Sequence, residues 1–183
     1  MQNQIKNLQQ NAERLTRVNL GLAAVLAVFI IASDAWNLVT RELTSQRWMM
    51  CGALLLVTAA TWYLSRYNSK NPAYYKVLIV GIILAQVVLA SFVVFTERGM
   101  ASRGVALYAL PIVSSLALLS RSAVFAAATL CTAAYAVTAT QYFYIHFNEG
   151  YKAELYATLF LYSAVFYALA FVLSVVMRPK KSL

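Results

Sequence analysis

Six apolar stretches, separated by short polar segments, occupy almost the whole of this chain of 183 residues. A helix needs roughly 20 apolar residues to cross about 30 Å of hydrocarbon, and most of the stretches are close to that length. The fourth is shorter, but Arg103 and Arg121 at its ends can extend to the two interfaces. The predicted spans are Val18–Val39, Trp48–Leu64, Tyr74–Phe95, Gly104–Leu119, Ser122–Ile145 and Ala153–Met177.

The composition also indicates a membrane protein. Hydrophobic residues make up 62% of the chain and charged residues 11%, whereas a soluble domain has about 25% charged residues. The net charge of +9 lies in short loops, tails and span ends, so it indicates contact with the lipid surface and not with nucleic acid. The predicted fold class is therefore all-α, a polytopic bundle of six transmembrane helices.

Three regions are predicted along the chain. Residues 1–17 are polar, but apolar side chains recur at helical spacing from Ile5 to Leu15. This pattern predicts a short amphipathic helix on the inner leaflet, with a frayed tail as the alternative. Residues 18–177 form the predicted membrane domain, and residues 178–183 form a basic cytoplasmic tail.

The distribution of Lys and Arg predicts the orientation. If the N-terminus is cytoplasmic, ten of the 15 basic residues fall on the inner side and five on the outer side. Short loops rich in Lys and Arg stay in the cytoplasm, so both termini are expected there. The inner set is Lys6, Arg14, Arg17, Arg66, Lys70, Lys76, Arg121, Arg178, Lys180 and Lys181, and the outer set is Arg41, Arg47, Arg98, Arg103 and Lys152.

The chain contains no sequence motif of a known catalytic site. It lacks the zinc-protease, nucleophile-elbow, phosphate-loop and dinucleotide patterns, so an enzyme is not expected. Cys51 and Cys131 lie within predicted spans and are expected to be small packing residues. Haem in a membrane would need histidines inside the spans, but the only histidine, His146, lies outside. No cofactor or metal is therefore expected.

Polar groups gather instead at the predicted outer ends of the spans. Asp34 is the only carboxylate more than a residue or two inside a span, which makes it a candidate functional group. The alternative is an interfacial carboxylate paired with an outer arginine. We predict a cavity open to the outside or the outer leaflet that binds a small amphiphilic ligand. Its residues are predicted to be Asp34, Arg98, Arg103, Tyr108, Gln141, Tyr142, His146, Glu149 and Tyr156.

Three features inside the spans concern packing and movement. Pro111 frees the carbonyl of Leu107 and predicts a kink in the fourth span, which is either static or a moving hinge. Gln86 is expected to face the bundle, because an amide in hydrocarbon must find polar partners. A ridge of small residues centred on Thr132 predicts close approach to another helix, within the protomer or in a homodimer.

The layout as a whole resembles a known class of membrane domain. Its cytoplasmic N-terminus, six helices with short loops and the basic exit Met177–Arg178–Pro179–Lys180–Lys181 are similar to the six-helix input modules of bacterial histidine kinases, diguanylate cyclases and membrane adenylyl cyclases. The resemblance implies a sensory module in the bacterial inner membrane that signals to a cytoplasmic output domain or partner. A small oligomeric transporter or channel and an accessory subunit of a membrane complex stay open as alternatives.

Overall fold

The computed structural model describes residues 2–36, 40–67, 69, 71–97, 99–146 and 152–177, and every regular element within them is helical. The predicted all-α class is therefore confirmed. Five of the helices are long and apolar enough to cross a membrane, and the apolar segment Arg103–Leu118 is shorter. The helices are α1 Gln2–Ala35, α2 Arg41–Ser65, α3 Pro72–Thr96, α4 Ala109–Ser114, α5 Arg121–His146 and α6 Lys152–Val176.

The chain folds into two compact units, Met1–Ala85 and Gln86–Leu183. In the first unit, α1 and α2 form an antiparallel hairpin. From one contact to the next, the residue number increases on α1 and decreases on α2. In order along α1, these contacts are Gln9 Nε2 donating to the Ser65 carbonyl (3.2 Å), Asn19 Nδ2 donating to Thr58 Oγ1 (3.4 Å), Cys51 Sγ donating to the Ala23 carbonyl (3.6 Å) and the Arg47 guanidinium over the Phe29 ring (5.5 Å).

Helix α1 runs without interruption through the expected boundary between residues 17 and 18. The apolar face at Leu8, Ala12 and Leu15 is buried inside the protein, whereas a separate amphipathic helix would bury this face in the leaflet. The physical reason is that no glycine or proline occurs before Gly21, so nothing breaks the backbone hydrogen bonds. The first residues of the chain therefore belong to the same hairpin helix as the first apolar stretch.

The second unit has one hydrophobic core. It combines the end of α3, the fourth apolar segment, α5 and α6, and its central members are Val94, Tyr108, Ile112, Ala128, Cys131, Tyr135, Ala139, Phe143 and Phe166. Ala128 and Ala139 are fully buried, and α5 approaches α6 closely, as small side chains allow. Gln86 is buried, in agreement with the sequence prediction.

The fourth apolar segment is not a regular α-helix. A 3-10 stretch, Arg103–Tyr108, precedes α4, a second, Ser115–Leu118, follows it, and Leu119 then adopts a left-handed φ of 54°. Pro111 lies in the first turn of α4, where a missing amide proton is tolerated. Because Pro111 cannot donate to the Leu107 carbonyl, the chain before it is free to tighten into 3-10 geometry. The predicted kink is thus spread over a whole irregular segment.

Candidate functional site

A polar turn follows α3 and leads into the fourth segment. Ser102 is almost fully buried, and its Oγ donates to Glu97 Oε2 at 3.3 Å. The same oxygen accepts from the backbone amide of Gly104 at 2.9 Å, which caps the 3-10 stretch that begins at Arg103. The carboxylate, the hydroxyl and the start of the fourth segment are therefore joined by consecutive hydrogen bonds.

Aromatic side chains lie against this turn from the end of α5. The Tyr142 ring stacks on the His146 ring, with centroids 4.1 Å apart and planes 16° apart. It also meets the Phe95 ring edge-on at 5.9 Å. Gly99, with a φ of 59°, lies directly against the Tyr142 side chain, and a Cβ at this position would overlap the ring. The structure thus brings two of the predicted site residues, Tyr142 and His146, into direct contact.

Tyr108 occupies a different environment from the one expected for a cavity wall. Its side chain is fully buried in the core of the second unit. Its hydroxyl shares a hydrogen bond of 2.8 Å with Ser91 Oγ, and its carbonyl accepts from Cys131 Sγ at 3.6 Å. Tyr108 therefore ties the fourth segment to α3 on one side and to α5 on the other.

Of the six remaining predicted site residues, four lie within the described part of the chain. In the second unit, the side chains of Arg103, Gln141 and Tyr156 are exposed. In the first unit, Asp34 is exposed in the last turn of α1. Arg98 and Glu149 lie outside the described residues. The cavity that we predict from the nine residues stays a prediction.

An aromatic cluster in the core of the second unit was not predicted from the sequence. Tyr135 is fully buried, and its ring meets those of Tyr108 at 6.0 Å, Tyr162 at 5.4 Å and Phe166 at 6.3 Å. The Tyr135 hydroxyl is buried without a hydrogen-bond partner among the described residues. The available signal was the helical spacing of Tyr135 with Ala128 and Ala139, which places a tyrosine on the small-residue face of α5.

The turn and the end of α5 carry exposed groups that can form hydrogen bonds. Exposed Arg103 and His146 can bind an anion or a hydrogen-bonding group. No set of three or more His, Cys, Asp or Glu side chains within the described ranges is placed to hold a metal ion. No protein-family model, curated protein or solved structure matches this chain.

Proposed function

We propose that the protein is an integral membrane protein of six crossings with both termini in the cytoplasm, and that it acts as a sensory module. In this proposal a small or lipophilic ligand binds near the outer face. Binding changes the fourth segment, and the resulting helix shift passes to a cytoplasmic output domain or partner. The observation that supports the proposal is the 3-10 geometry of a segment whose residues Gly104, Val105 and Tyr108 are buried.

A change from 3-10 to α geometry alters the length of a helical segment by a defined amount. A 3-10 stretch rises about 2.0 Å per residue, against about 1.5 Å in an α-helix. If the six residues Arg103–Tyr108 changed to α geometry, the segment would shorten by about 3 Å. Helix shifts of roughly 1–2 Å already act as signals in allosteric proteins, so this change is large enough to be relayed.

Both ends of the 3-10 segment Arg103–Tyr108 contact other parts of the second unit. At its start, the segment is capped by Ser102, which is bonded to Glu97, and it follows the turn beneath Tyr142. A ligand that engages Arg103 or His146 would act on this end. Further along, Tyr108 contacts Cys131 on α5 and Phe166 on α6. Movement of the segment therefore reaches the last helix, after which the basic tail begins.

The topology is tested by labelling single cysteines from each side of the membrane. In a background of Cys51→Ala and Cys131→Ala, an exposed cysteine introduced at Ala101 is expected to react with an impermeant maleimide from the outside. One introduced at Tyr67 is expected to react only from the cytoplasm, because the loop after α2 belongs to the basic inner set. Labelling with the two sides reversed would overturn the cytoplasmic location of the termini, and labelling at both positions from one side would overturn the crossing by α3.

Pro111→Ala tests the movement. The new amide can donate to the Leu107 carbonyl, so α4 is expected to extend backwards. The segment then shortens, by up to about 3 Å if all six residues change to α geometry. Spin labels at Ala101 and Leu119, both exposed, would measure the change by pulsed electron resonance in nanodiscs. Val113→Ala, an exposed change that leaves the backbone amides in place, serves as control and should keep the original distance.

The sensory role is tested with the same pair of spin labels. A lipophilic extract of the culture medium is expected to change the distance between them in the parent protein. The change should be lost in His146→Ala and kept in Glu42→Gln, which removes a charge from the first unit. A distance that stays fixed in every extract, together with uptake of a solute into vesicles, would favour the transporter alternative.

A further inference from the structure

A groove in the first unit lies between α1 and α2, close to the end of α2. It has a volume of about 440 Å³ and is lined by Thr16, Arg17, Leu20, Leu55, Thr58, Ala59 and Trp62. Thr16 and Thr58 donate their hydroxyl protons to the carbonyls of Ala12 and Leu54 in their own helices. The hydroxyls are thereby satisfied, and the body of the groove offers mainly methyl groups and the indole ring.

Two arginines lie at this end of the hairpin. Arg17 lines the groove itself. The Arg66 guanidinium lies 3.8 Å from the centroid of the Trp62 ring, in a cation–π contact that holds the charge beside the groove. Both side chains are exposed, and no carboxylate of the described residues forms an ion pair with either of them.

Arg66 is also not needed to cap α2. A basic residue after a helix often interacts with the last free carbonyls. Here those carbonyls have other donors. The Ser65 carbonyl accepts from Gln9 Nε2, and the Leu64 carbonyl accepts from the Tyr67 amide and the Tyr74 hydroxyl. The Arg66 guanidinium is therefore available for an external anion.

We propose that this groove binds one anionic phospholipid, with an acyl chain along Leu20, Leu55 and Ala59 and the headgroup phosphate between Arg17 and Arg66. Basic pockets between membrane helices recognise acidic headgroups, and guanidinium groups suit phosphate oxygens because of their paired N–H donors. Trp62 marks the interface depth at which a headgroup meets the hydrocarbon. The site rests on the proposed membrane insertion but not on the sensory role.

Fluorescence of Trp62 tests the proposal directly. With Trp36→Phe and Trp48→Phe, Trp62 is the only tryptophan left. The protein is placed in vesicles that contain either phosphatidylglycerol or phosphatidylcholine with the same brominated acyl chains, which quench indole fluorescence on contact. Competition between the two lipids is expected to give a preference for phosphatidylglycerol of at least about fivefold.

Variants separate the site from general surface charge. Arg17→Gln and Arg66→Gln should each reduce the preference by roughly fivefold, whereas Arg121→Gln, an exposed arginine outside the groove, should leave it unchanged. Ala59→Phe should fill the groove and abolish the preference. Ala60→Phe should retain it, because Ala60 is exposed but does not line the groove.

Four outcomes would overturn the proposal. Equal quenching by the two lipids would show that the groove holds ordinary bilayer lipid. An equal loss of preference in Arg121→Gln would assign the effect to overall charge. A change in Trp62 fluorescence on addition of inorganic phosphate, with no preference between the two lipids, would indicate a phosphate site without a lipid chain. An absence of quenching by either lipid would show that Trp62 is outside the bilayer, and would count against membrane insertion as well.

Discussion

Replacing Gly99 with alanine is expected to lower the free energy of unfolding by about 2–5 kcal/mol. Two costs add together. A left-handed φ of 59° costs a residue with a Cβ roughly 1–2 kcal/mol. The new methyl group would also overlap the side chain of Tyr142, and forcing these groups apart costs about 1–3 kcal/mol. Reversible unfolding in mixed micelles, followed by far-ultraviolet circular dichroism, measures the change.

Gly81→Ala is the matched control for this substitution. Gly81 lies within α3, and a Cβ built there meets nothing within 4 Å. Alanine favours the helix by roughly 0.5–1 kcal/mol relative to glycine, so this variant should be slightly more stable than the parent. If Gly99→Ala were as stable as Gly81→Ala, the close packing of the turn against Tyr142 would be wrong.

Tyr135→Ala is expected to cost about 3–5 kcal/mol, because it removes a fully buried ring and leaves a cavity. Tyr135→Phe should instead raise the free energy of unfolding. It keeps the ring contacts with Tyr108, Tyr162 and Phe166 and removes a buried hydroxyl that has no partner in the described part of the chain. A gain of about 1 kcal/mol is expected from removal of this uncompensated group.

Tyr108→Phe provides the comparison for the Tyr135 pair. Tyr108 is equally buried, but its hydroxyl is bonded to Ser91 Oγ. Its loss should therefore cost about 0.5–1.5 kcal/mol. The two Tyr→Phe variants, measured by the same unfolding assay, should move in opposite directions. Equal losses of stability in both would mean that the Tyr135 hydroxyl does have a partner in the folded protein.

The sequence was sufficient for the helical class because hydrocarbon-length apolar runs leave few alternatives. It was also sufficient for the burial of Gln86, since an amide in such a run needs protein around it. It was not sufficient for the continuity of α1. The polar residues before Val18 resemble a surface helix. The unbroken helix Gln2–Ala35, the burial of Leu8 and the contact of Gln9 with Ser65 show that they extend the hairpin.

Much of the candidate site depends on contacts that periodicity does not encode. Tyr142 and His146 could be paired from their spacing of four on a helix. The position of Tyr108 could not be predicted in this way, because its neighbours Ser91, Cys131 and Tyr135 come from other helices. The 3-10 geometry was likewise hidden, since Pro111 predicts a local break but does not determine how many residues on either side change their hydrogen bonds.

A rotation of the first turns of α1 about the helix axis would turn the whole helix, because α1 is continuous. The helix has 34 residues, which gives a length of about 51 Å against about 30 Å of hydrocarbon. If the protein spans a membrane as proposed, this surplus places several turns of α1 outside the hydrocarbon, where a partner can bind them. Because helix α1 has no break, its buried residues Asn19, Ala23 and Ile30 would rotate together. In that arrangement, a partner bound to the N-terminal turns of α1 would act on the interior of the hairpin from outside the bilayer.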